Sequence, residues 1–208
     1  MKIYNHFDDI EGNFAACIGF FDGVHKGHQY MISHLQQEAQ KRHLKSAVVT
    51  FRNHPRQLIQ PNYHLLLIDT LEQRLAKLSA TGLDACFLLE FTQEVRQLSA
   101  RQFIQEVLCR QMHVKLLIIG YDHRFGHDRT EGFDDYVRYG QECGMEVIQE
   151  PVFDDGSGLH YSSSEVRRAL ERGDKELAQK LLGRDPLPTS PRGGGDPAAK
   201  EGAQRDTE

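Results

Sequence analysis

Two histidines, His25 and His28, stand three residues apart in the segment GFFDGVHKGH. An apolar run from Phe14 to Phe21 precedes them and is typical of a buried strand, and an amphipathic helix pattern begins near Gly27. The pair therefore falls between a strand and a helix, where a helix N-terminus offers free N–H groups and its positive dipole end to a phosphate. Imidazoles at such a point are suitable donors for charge that develops on a phosphoryl group. The HxGH spacing predicts nucleotide chemistry.

Two other interpretations of the histidine pair exist. Both could be surface residues, as an arbitrary HxxH pair usually is, but Gly23 and Gly27 are typical of backbone that turns sharply and approaches a phosphate. The pair could also share a zinc ion, which would require a third or fourth ligand, and no Cys or His pair elsewhere has ligand spacing. We therefore favour the phosphate interpretation and predict no metal-binding residue.

A second motif, YSSSEVRR, begins at Tyr161 and places hydroxyl groups at the start of a predicted helix. The hydroxyls of Ser162, Ser163 and Ser164 could cap that helix or meet phosphate oxygens. Arg167 follows Ser164 by three residues, so its guanidinium could bind the same anion in a bidentate manner. Taken alone, the motif favours an ordinary helix cap followed by an exposed basic turn.

A third motif, GYDHRFGHDRTEG, spans residues 120–132 and directly follows a predicted strand. It combines aromatic and basic residues in a glycine-punctuated loop, which suits a flat phosphorylated ligand as well as an ordinary surface loop. If the sheet order reverses between the first and fourth predicted strands, this loop faces the HxGH loop across the crevice. A further basic stretch, RNHPR at 52–56, ends the second predicted strand on the same sheet edge.

Length and composition restrict the class of protein. With 208 residues, 39% hydrophobic and 26% charged, the chain suits one sizeable domain. The net charge of −5 argues against general nucleic-acid binding. Four cysteines without a CxxC motif favour buried, reduced thiols, and no apolar run reaches membrane-spanning length. We expect a cytoplasmic protein with no membrane or nucleic-acid partner.

Apolar runs alternate with helical patterns along the chain, which predicts an α/β fold: a Rossmann-like, doubly wound parallel sheet of five strands with helices on both faces. The predicted strands are 14–21, 46–51, 84–91, 115–120 and 145–150. The predicted helices are 27–42, 70–81, 99–112, 133–143, 164–172 and 174–182.

Composition changes abruptly after Arg184. The segment 185–208 contains four prolines and four glycines, and Leu187 is its only large aliphatic residue. Such a segment cannot bury enough apolar surface to offset its ordering entropy. We expect one domain at 1–184 and a disordered polar tail at 185–208.

The segments GFFDGVHKGH, TFRNHPR, GYDHRFGHDR and YSSSEVRRAL resemble, in sequence and order, the adenylyltransferase module of prokaryotic bifunctional riboflavin kinase/FMN adenylyltransferase. The likeness covers about residues 12–184. HxGH alone marks only the wider nucleotidylyltransferase superfamily, whereas the FDGVHxGH context and the DxRFGxxR loop are more specific to the flavin branch. Two departures are mild: Ser164 replaces the usual Thr, and Phe20 replaces the common Asn.

The resemblance implies transfer of AMP from ATP to FMN, giving FAD and pyrophosphate, with Mg²⁺ accompanying ATP. It implies a nucleotidylyltransferase fold without the kinase module, so riboflavin kinase activity would reside in a missing module or a separate protein. His25, His28 and Arg167 would be catalytic. ATP would be bound by Gly19, Phe20, Phe21, Asp22, Gly27, Gly120, Ser163 and Ser164, and FMN by Asn53, His54, Tyr121, Asp122, Arg124, Phe125 and Arg129.

Two rival functions remain. One is a nucleotidylyltransferase with another acceptor, such as phosphopantetheine, nicotinamide mononucleotide or glycerol phosphate, against which the GYDHRFGHDR loop argues. The other is a non-catalytic flavin- or nucleotide-binding module, which nothing requires because both histidines and Arg167 are present.

Truncation after Arg184 tests the assignment of the tail. We expect thermal stability and activity to stay nearly unchanged, because the removed segment has no core-forming residues. Melting curves of the full chain and of 1–184 make the comparison, and a loss of several degrees in the truncated chain would contradict the prediction.

Overall fold

Six parallel strands form one sheet in the computed structural model, which describes residues 1–59, 66–121, 123–127 and 130–185. Along the chain they are β1 (Lys2–Tyr4), β2 (Phe14–Ile18), β3 (Lys45–Phe51), β4 (Ala85–Leu89), β5 (Val114–Gly120) and β6 (Glu146–Glu150). Their spatial order is β1-β4-β3-β2-β5-β6.

The sheet order reverses beside β2, whose two neighbours are β3 and β5. In the register of the sheet, Cys17 lies between Val48 of β3 and Ile118 of β5. The connections that follow β2 and β5 therefore leave the sheet side by side, where ligands bind in open α/β folds. The predicted position of the HxGH loop opposite the 120–132 loop is confirmed at the level of topology.

The helices are interleaved with the strands. They are a 3₁₀ turn at Asp22–Val24, α1 (Lys26–Lys41), α2 (Pro55–Ile59), α3 (Leu71–Ala80), α4 (Gln93–Gln97), α5 (Ala100–Gln102) continuing as a π-helix (Phe103–Gln111), α6 (Phe133–Glu142), α7 (Ser163–Glu171) and α8 (Lys175–Leu182).

Apolar side chains cover both faces of the sheet, which explains why the strands are apolar at successive positions. Phe14, Ala16 and Ile18 of β2 pack with the π-helix and α6, whereas Ala15 and Cys17 pack with α1 and α3. Strands buried on both faces do not alternate between polar and apolar residues. A third cluster joins α7 and α8 through Val166, Leu181 and Leu182 and reaches Tyr161.

The prediction of a doubly wound parallel sheet is confirmed, but the predicted count of five strands was one too few. The edge strand β1 has three residues, too short to give a periodic signal. β2 also ends at Ile18 rather than Phe21, because Phe21 takes a left-handed backbone with φ 57°. The predicted helix at 99–112 winds mainly as a π-helix, and the short helices α2 and α4 were not predicted.

The expectation of four reduced thiols is wrong for one pair. Cys109 of the π-helix and Cys143, which caps α6, form a disulfide across 34 residues of sequence. Packing of the π-helix against α6 brings them together, and sequence spacing gives no sign of that contact. Cys17 and Cys86 are free and buried, and burial raises the pKa of both thiols.

Several predictions fall on residues that the structure does not describe. These are the FMN-binding assignments of Asp122 and Arg129 and the predicted tail beyond Asp185. Among the described residues, no helix is both long and apolar enough to cross a membrane.

Candidate active site

The backbone between β2 and α1 is held in an uncommon conformation. Phe21, Gly23 and Val24 all have positive φ, at 57°, 81° and 41°. A Cβ on Gly23 would lie 2.9 Å from Cδ1 of Ile68, so close packing adds to the conformational requirement for glycine. A left-handed non-glycine residue costs of order 1–3 kcal/mol and persists only where its surroundings enforce it.

His25 caps the N-terminus of α1 with its ring. Its Nδ1 accepts a hydrogen bond from the His28 backbone N–H at 3.4 Å, and the ring is buried. Because Nδ1 accepts, neutral His25 carries its proton on Nε2, which is then a hydrogen-bond donor. A Cβ on Gly27 would lie 3.2 Å from the His25 ring, so a glycine there leaves room for this cap.

His28 stacks on His25. The two ring centroids lie 3.7 Å apart with the planes 22° from parallel, and Phe21 meets His28 edge-on at 5.0 Å. The Nδ1 atom of His28 is buried and has no hydrogen-bond partner among the residues that the structure describes. The predicted pair is thus brought into direct contact at the first turn of α1.

Burial keeps both imidazoles neutral. Desolvation, with smaller contributions from His160, Arg167 and Arg184, lowers the pKa of His25 to about 4. Desolvation and the neighbouring His25 also hold the pKa of His28 well below its usual value. At neutral pH the pair therefore offers ring N–H donors without carrying charge.

Asp22 connects three segments of the chain. Its carboxylate accepts hydrogen bonds from the backbone N–H groups of Ile68 and Asp69 and from Arg167, whose Nη1 lies 2.7 Å from Oδ2. Burial raises the pKa of Asp22, and these hydrogen bonds and Arg167 oppose that shift. Both carboxylate oxygens are occupied by this chain's own groups, so the predicted contact of Asp22 with ATP stays a prediction.

The YSSSEVRR motif at the start of α7 contacts the HxGH loop. This contact is not visible from the position of the motif in the sequence. Ser163 Oγ donates to the Asp22 carbonyl at 2.8 Å. Arg167, with 16% of its side chain exposed, pairs with Asp22, and its Nη2 lies 3.5 Å from Ser164 Oγ. Ser162, the first of the three serines in the motif, caps α7, as the motif predicts. The structure therefore unites the two motifs that the sequence placed about 140 residues apart.

A cavity of about 340 Å³ opens at this junction. Tyr30, Met31, Val152 and Phe153 give it an apolar wall, and Glu150 and His160 also line it. Asp22, Ser164 and Arg167 do not line it but connect to it through Ser163. The predicted residues that do line it are Gly19, Phe20, Phe21, His25, Gly27, His28, Gly120, Tyr121 and Ser163.

A second, smaller cavity of about 130 Å³ lies next to the first. Ile18 and His123 line both cavities, so the two are neighbours across the ends of β2 and β5. The walls of the second cavity are rich in aromatic side chains and carry the cations Arg96 and Arg124. Its aromatic residues are Phe51, Phe91, Phe103 and Phe125.

The loop after β5 is fastened to α6 through Tyr136. The buried Tyr136 hydroxyl accepts a hydrogen bond from the Phe125 N–H at 3.2 Å. It lies within donating distance of the carbonyls of Phe125, at 3.2 Å, and Glu131, at 3.1 Å, and its ring stacks on Phe125 at 4.3 Å. Arg124 Nη1 donates to the Glu131 carbonyl at 3.1 Å. Phe125 and Arg124 are thereby held at the wall of the second cavity, whereas Tyr121, 54% exposed, stands at the first.

Two residues of the RNHPR stretch, Asn53 and His54, contact neighbouring elements, and their predicted role in binding FMN stays a prediction. Both polar atoms of the Asn53 side chain bond the backbone of Phe91, so Asn53 joins the ends of β3 and β4. His54 meets Phe20 edge-on at 4.4 Å, and burial together with Arg167, Arg56 and Arg74 lowers its pKa to about 4. His54 therefore lies in a zone of positive charge that includes Arg167. Neither residue lines either cavity.

Sequence reasoning missed Arg74 entirely. This arginine of α3 is 2% exposed and donates to the carbonyls of Phe20 and Phe51, each at 2.6 Å, while its guanidinium lies 3.8 Å from the Phe20 ring centroid. It holds together the chain at the ends of β2 and β3. An arginine within an amphipathic helix pattern is typical of an exposed side chain, so no sequence signal marks it as buried.

The described part of the chain contains no group of three or more His, Cys, Asp or Glu residues that could hold a metal ion. The Asp22 carboxylate, which does not line the first cavity, is bonded on both oxygens by groups of this chain.

Comparison with known proteins decides the family. The family model described as FAD synthetase matches residues 8–165. The chain belongs to the FAD synthetase family. It is 37% identical over 172 residues to the bifunctional riboflavin kinase/FMN adenylyltransferase of Pseudomonas fluorescens, covering 82% of this chain and 54% of that protein. The chain spans about half the length of the curated relatives it matches.

Solved structures support the fold assignment. The crystal structure of a macrolide-efflux protein from Streptococcus pneumoniae is 31% identical with a TM-score of 0.76, covering 88% of this chain and 61% of that one. Pantoate-beta-alanine ligase from Francisella tularensis, at 15% identity and a TM-score of 0.52, shares the fold alone, with coverage of 89% and 80%. The resemblance seen in the four sequence motifs is confirmed at the level of family.

The lowered pKa of His25 makes stability depend on pH in a defined window. Unfolded histidine titrates near pH 6.5 and folded His25 near 4, so the unfolded state takes up the proton first as pH falls. The contribution of His25 to the free energy of unfolding is fully present above about pH 6.5. It falls by about 3 kcal/mol as the pH is lowered toward 4. Protonation also removes the Nδ1 acceptor that caps α1.

We expect denaturant unfolding between pH 7 and 4 to show this loss and His25→Asn to flatten it. The nitrogen shifts of His25, followed by NMR, should report a neutral ring down to pH 5. A His25 ring that is already protonated at pH 6 would contradict the assignment.

Proposed function

We propose that this chain is an FMN adenylyltransferase that transfers AMP from ATP to FMN, releasing pyrophosphate and FAD. The observation that carries the proposal is the stacked, neutral His25–His28 pair at the N-terminus of α1, on the wall of one cavity that adjoins a second, aromatic cavity. Membership of the FAD synthetase family supports the choice of acceptor.

The first cavity suits a nucleoside triphosphate. Its phosphate end would lie at the start of α1, where the N–H groups and dipole favour an anion. Its other wall is apolar, with Met31, Val152 and Phe153 available to a purine base. A few polar groups at one end of an apolar cleft are the usual arrangement of a small-molecule site.

The second cavity suits the flavin ring system. An isoalloxazine is flat and aromatic, and offset or edge-on contacts with Phe51, Phe91 and Phe125 would stabilise it. Arg124 at this wall and the positive zone around His54 offer attraction to the FMN phosphate. Because Ile18 and His123 border both cavities, that phosphate would lie near the triphosphate.

The reaction requires little covalent work from the protein. An FMN phosphate oxygen would attack the α-phosphorus of ATP in line. The bond from that phosphorus to the oxygen bridging to the β-phosphate would break, and pyrophosphate would leave. Mg²⁺ bound with ATP would supply charge neutralisation on its phosphates. Catalysis is then positioning together with stabilisation of the charge that grows on the α-phosphate and the leaving group. The N–H donors of His25 and His28 would provide that stabilisation.

Arg167 would stabilise the leaving pyrophosphate together with Ser163 and Ser164. Its pairing with Asp22 restrains the guanidinium before substrate arrives, which limits the reorganisation needed during the reaction. FMN itself must come from a reaction that phosphorylates riboflavin, and the curated relatives are named for that activity as well.

Incubation of the protein with MgATP and FMN should give FAD and pyrophosphate in equal amounts. Riboflavin, which lacks the attacking phosphate, is the matched control and should give no adenylylated product. Phosphopantetheine, nicotinamide mononucleotide and glycerol phosphate test rival acceptors in the same assay. Release of pyrophosphate with one of these but not with FMN would contradict the proposal.

His28→Ala should collapse kcat while ATP affinity falls only modestly. The N-terminus of α1 still attracts the phosphates, but a donor for charge in the transition state is lost, which costs roughly 10²–10³ in rate. Steady-state kinetics and a separate ATP titration measure the two effects. Gln37→Ala, which changes an exposed residue of the same helix that does not line the cavity, is the control. If the kcat of His28→Ala stays within a few-fold of wild type, His28 is not catalytic.

A further inference from the structure

Three consecutive backbone carbonyls in the HxGH loop are bound by side chains from other elements. Ser163 donates to the carbonyl of Asp22, and Gln29 Nε2 donates to that of Val24 at 2.8 Å. Arg184 donates to two of them: its Nη2 to the carbonyl of Gly23 and its Nη1 to that of Val24 at 3.3 Å. The Arg184 guanidinium thus spans the successive carbonyls of Gly23 and Val24, which are the two residues with positive φ closest to His25.

Arg184 is held at the loop at an energetic cost. It is half-buried, its Nε is buried with no partner among the described residues, and burial lowers the pKa of its guanidinium. Its hydrogen bonds within the described part of the chain go to the backbone carbonyls of Gly23, Val24 and Leu182, and the charge of Asp69 opposes the effect of burial on its pKa. A desolvated charge that is hydrogen-bonded only to backbone carbonyls gives up favourable hydration, which the Asp69 charge offsets in part.

We infer that Arg184 is a positioning residue for nucleotidyl transfer, which acts by holding the Gly23–Val24 backbone in the form that sets the His25 ring. This inference rests on the proposed function. Val24 at φ 41° would relax toward negative φ without external restraint. Such relaxation would shift His25, the next residue, away from the cap that fixes its tautomer.

The end of α8 is built to bring Arg184 to this point. Gly183 closes α8 in a left-handed cap, and Gln29 of α1 bonds both Val24 and the Leu182 carbonyl. Leu182 also packs close to the position where Gly23 would carry a Cβ, at 3.3 Å. The shape of an arginine is required, because a planar fork reaches two adjacent carbonyls and a lysine ammonium is a single point of charge.

The test compares Arg184→Met and Arg184→Lys with Arg172→Met, which removes an exposed arginine at the end of α7. For each variant we would measure kcat and KM for ATP and FMN, the unfolding midpoint, and the ring-nitrogen shifts of His25. All kinetics are run well below the midpoint, so that every variant is folded during the assay.

Arg184→Met should lower kcat roughly 10- to 100-fold, as misplacement of reacting groups by about 1 Å does, with a smaller change in KM for ATP. The His25 pKa should rise, because one nearby positive charge is gone and the ring is less confined. Arg184→Lys should recover part of kcat, and Arg172→Met should match wild type in every measurement.

A kcat within two-fold of wild type in folded Arg184→Met, or unchanged His25 shifts, would overturn the inference. If Arg184→Met does not fold, the kcat and the His25 ring-nitrogen shifts of Arg184→Lys are compared with wild type by the same criteria. A wild-type protein that forms no FAD would instead contradict the proposed function. Even if no FAD is formed, the ring-nitrogen chemical shifts of His25 in the Arg184 variants would show whether Arg184 positions the ring.

Discussion

The buried carboxylate of Asp22 is the interaction on which the rest of the site depends. It joins the HxGH loop to the backbone of residues 68–69 and, through Arg167, to α7, which are parts of the chain separated by up to 145 residues. Removal of this carboxylate would leave Arg167 without its ion-pair partner and two backbone N–H groups without an acceptor, in surroundings where unsatisfied polar groups are costly. Asp22, which the resemblance assigns to ATP binding, also connects three elements in the structure.

Charge in the site is divided between two kinds of residue. The histidines at the start of α1 are neutral, because burial outweighs any gain from protonation, and they offer directed N–H groups. Positive charge comes instead from arginines, which remain protonated even when half-buried. Arg167 and Arg74 are each fixed by this chain's own oxygens, one to the Asp22 carboxylate and the other to the carbonyls of Phe20 and Phe51. Fixed donors need little reorganisation when charge develops on a substrate.

Sequence periodicity was sufficient for the sheet, the long helices and the meeting of the loops after β2 and β5, because strands buried on both faces and amphipathic helices leave regular apolar patterns. It was insufficient wherever the deciding contact is between residues distant in sequence. Cys109 and Cys143 are neighbours only once α6 packs on the π-helix. Arg74 is buried only because two strand ends present carbonyls to it. The bonds of Asn53 to the Phe91 backbone likewise join residues that are distant in sequence.

The wall of Ile18 and His123 between the two cavities has a consequence for turnover. On the proposed function, each substrate occupies one cavity, but the product spans both as a single molecule. Linking two ligands makes the second contact intramolecular, so the product is held more tightly than either half alone. Pyrophosphate has no such anchor in the aromatic cavity. An enzyme shaped this way would release pyrophosphate before the dinucleotide, and release of the dinucleotide would then limit the rate of turnover.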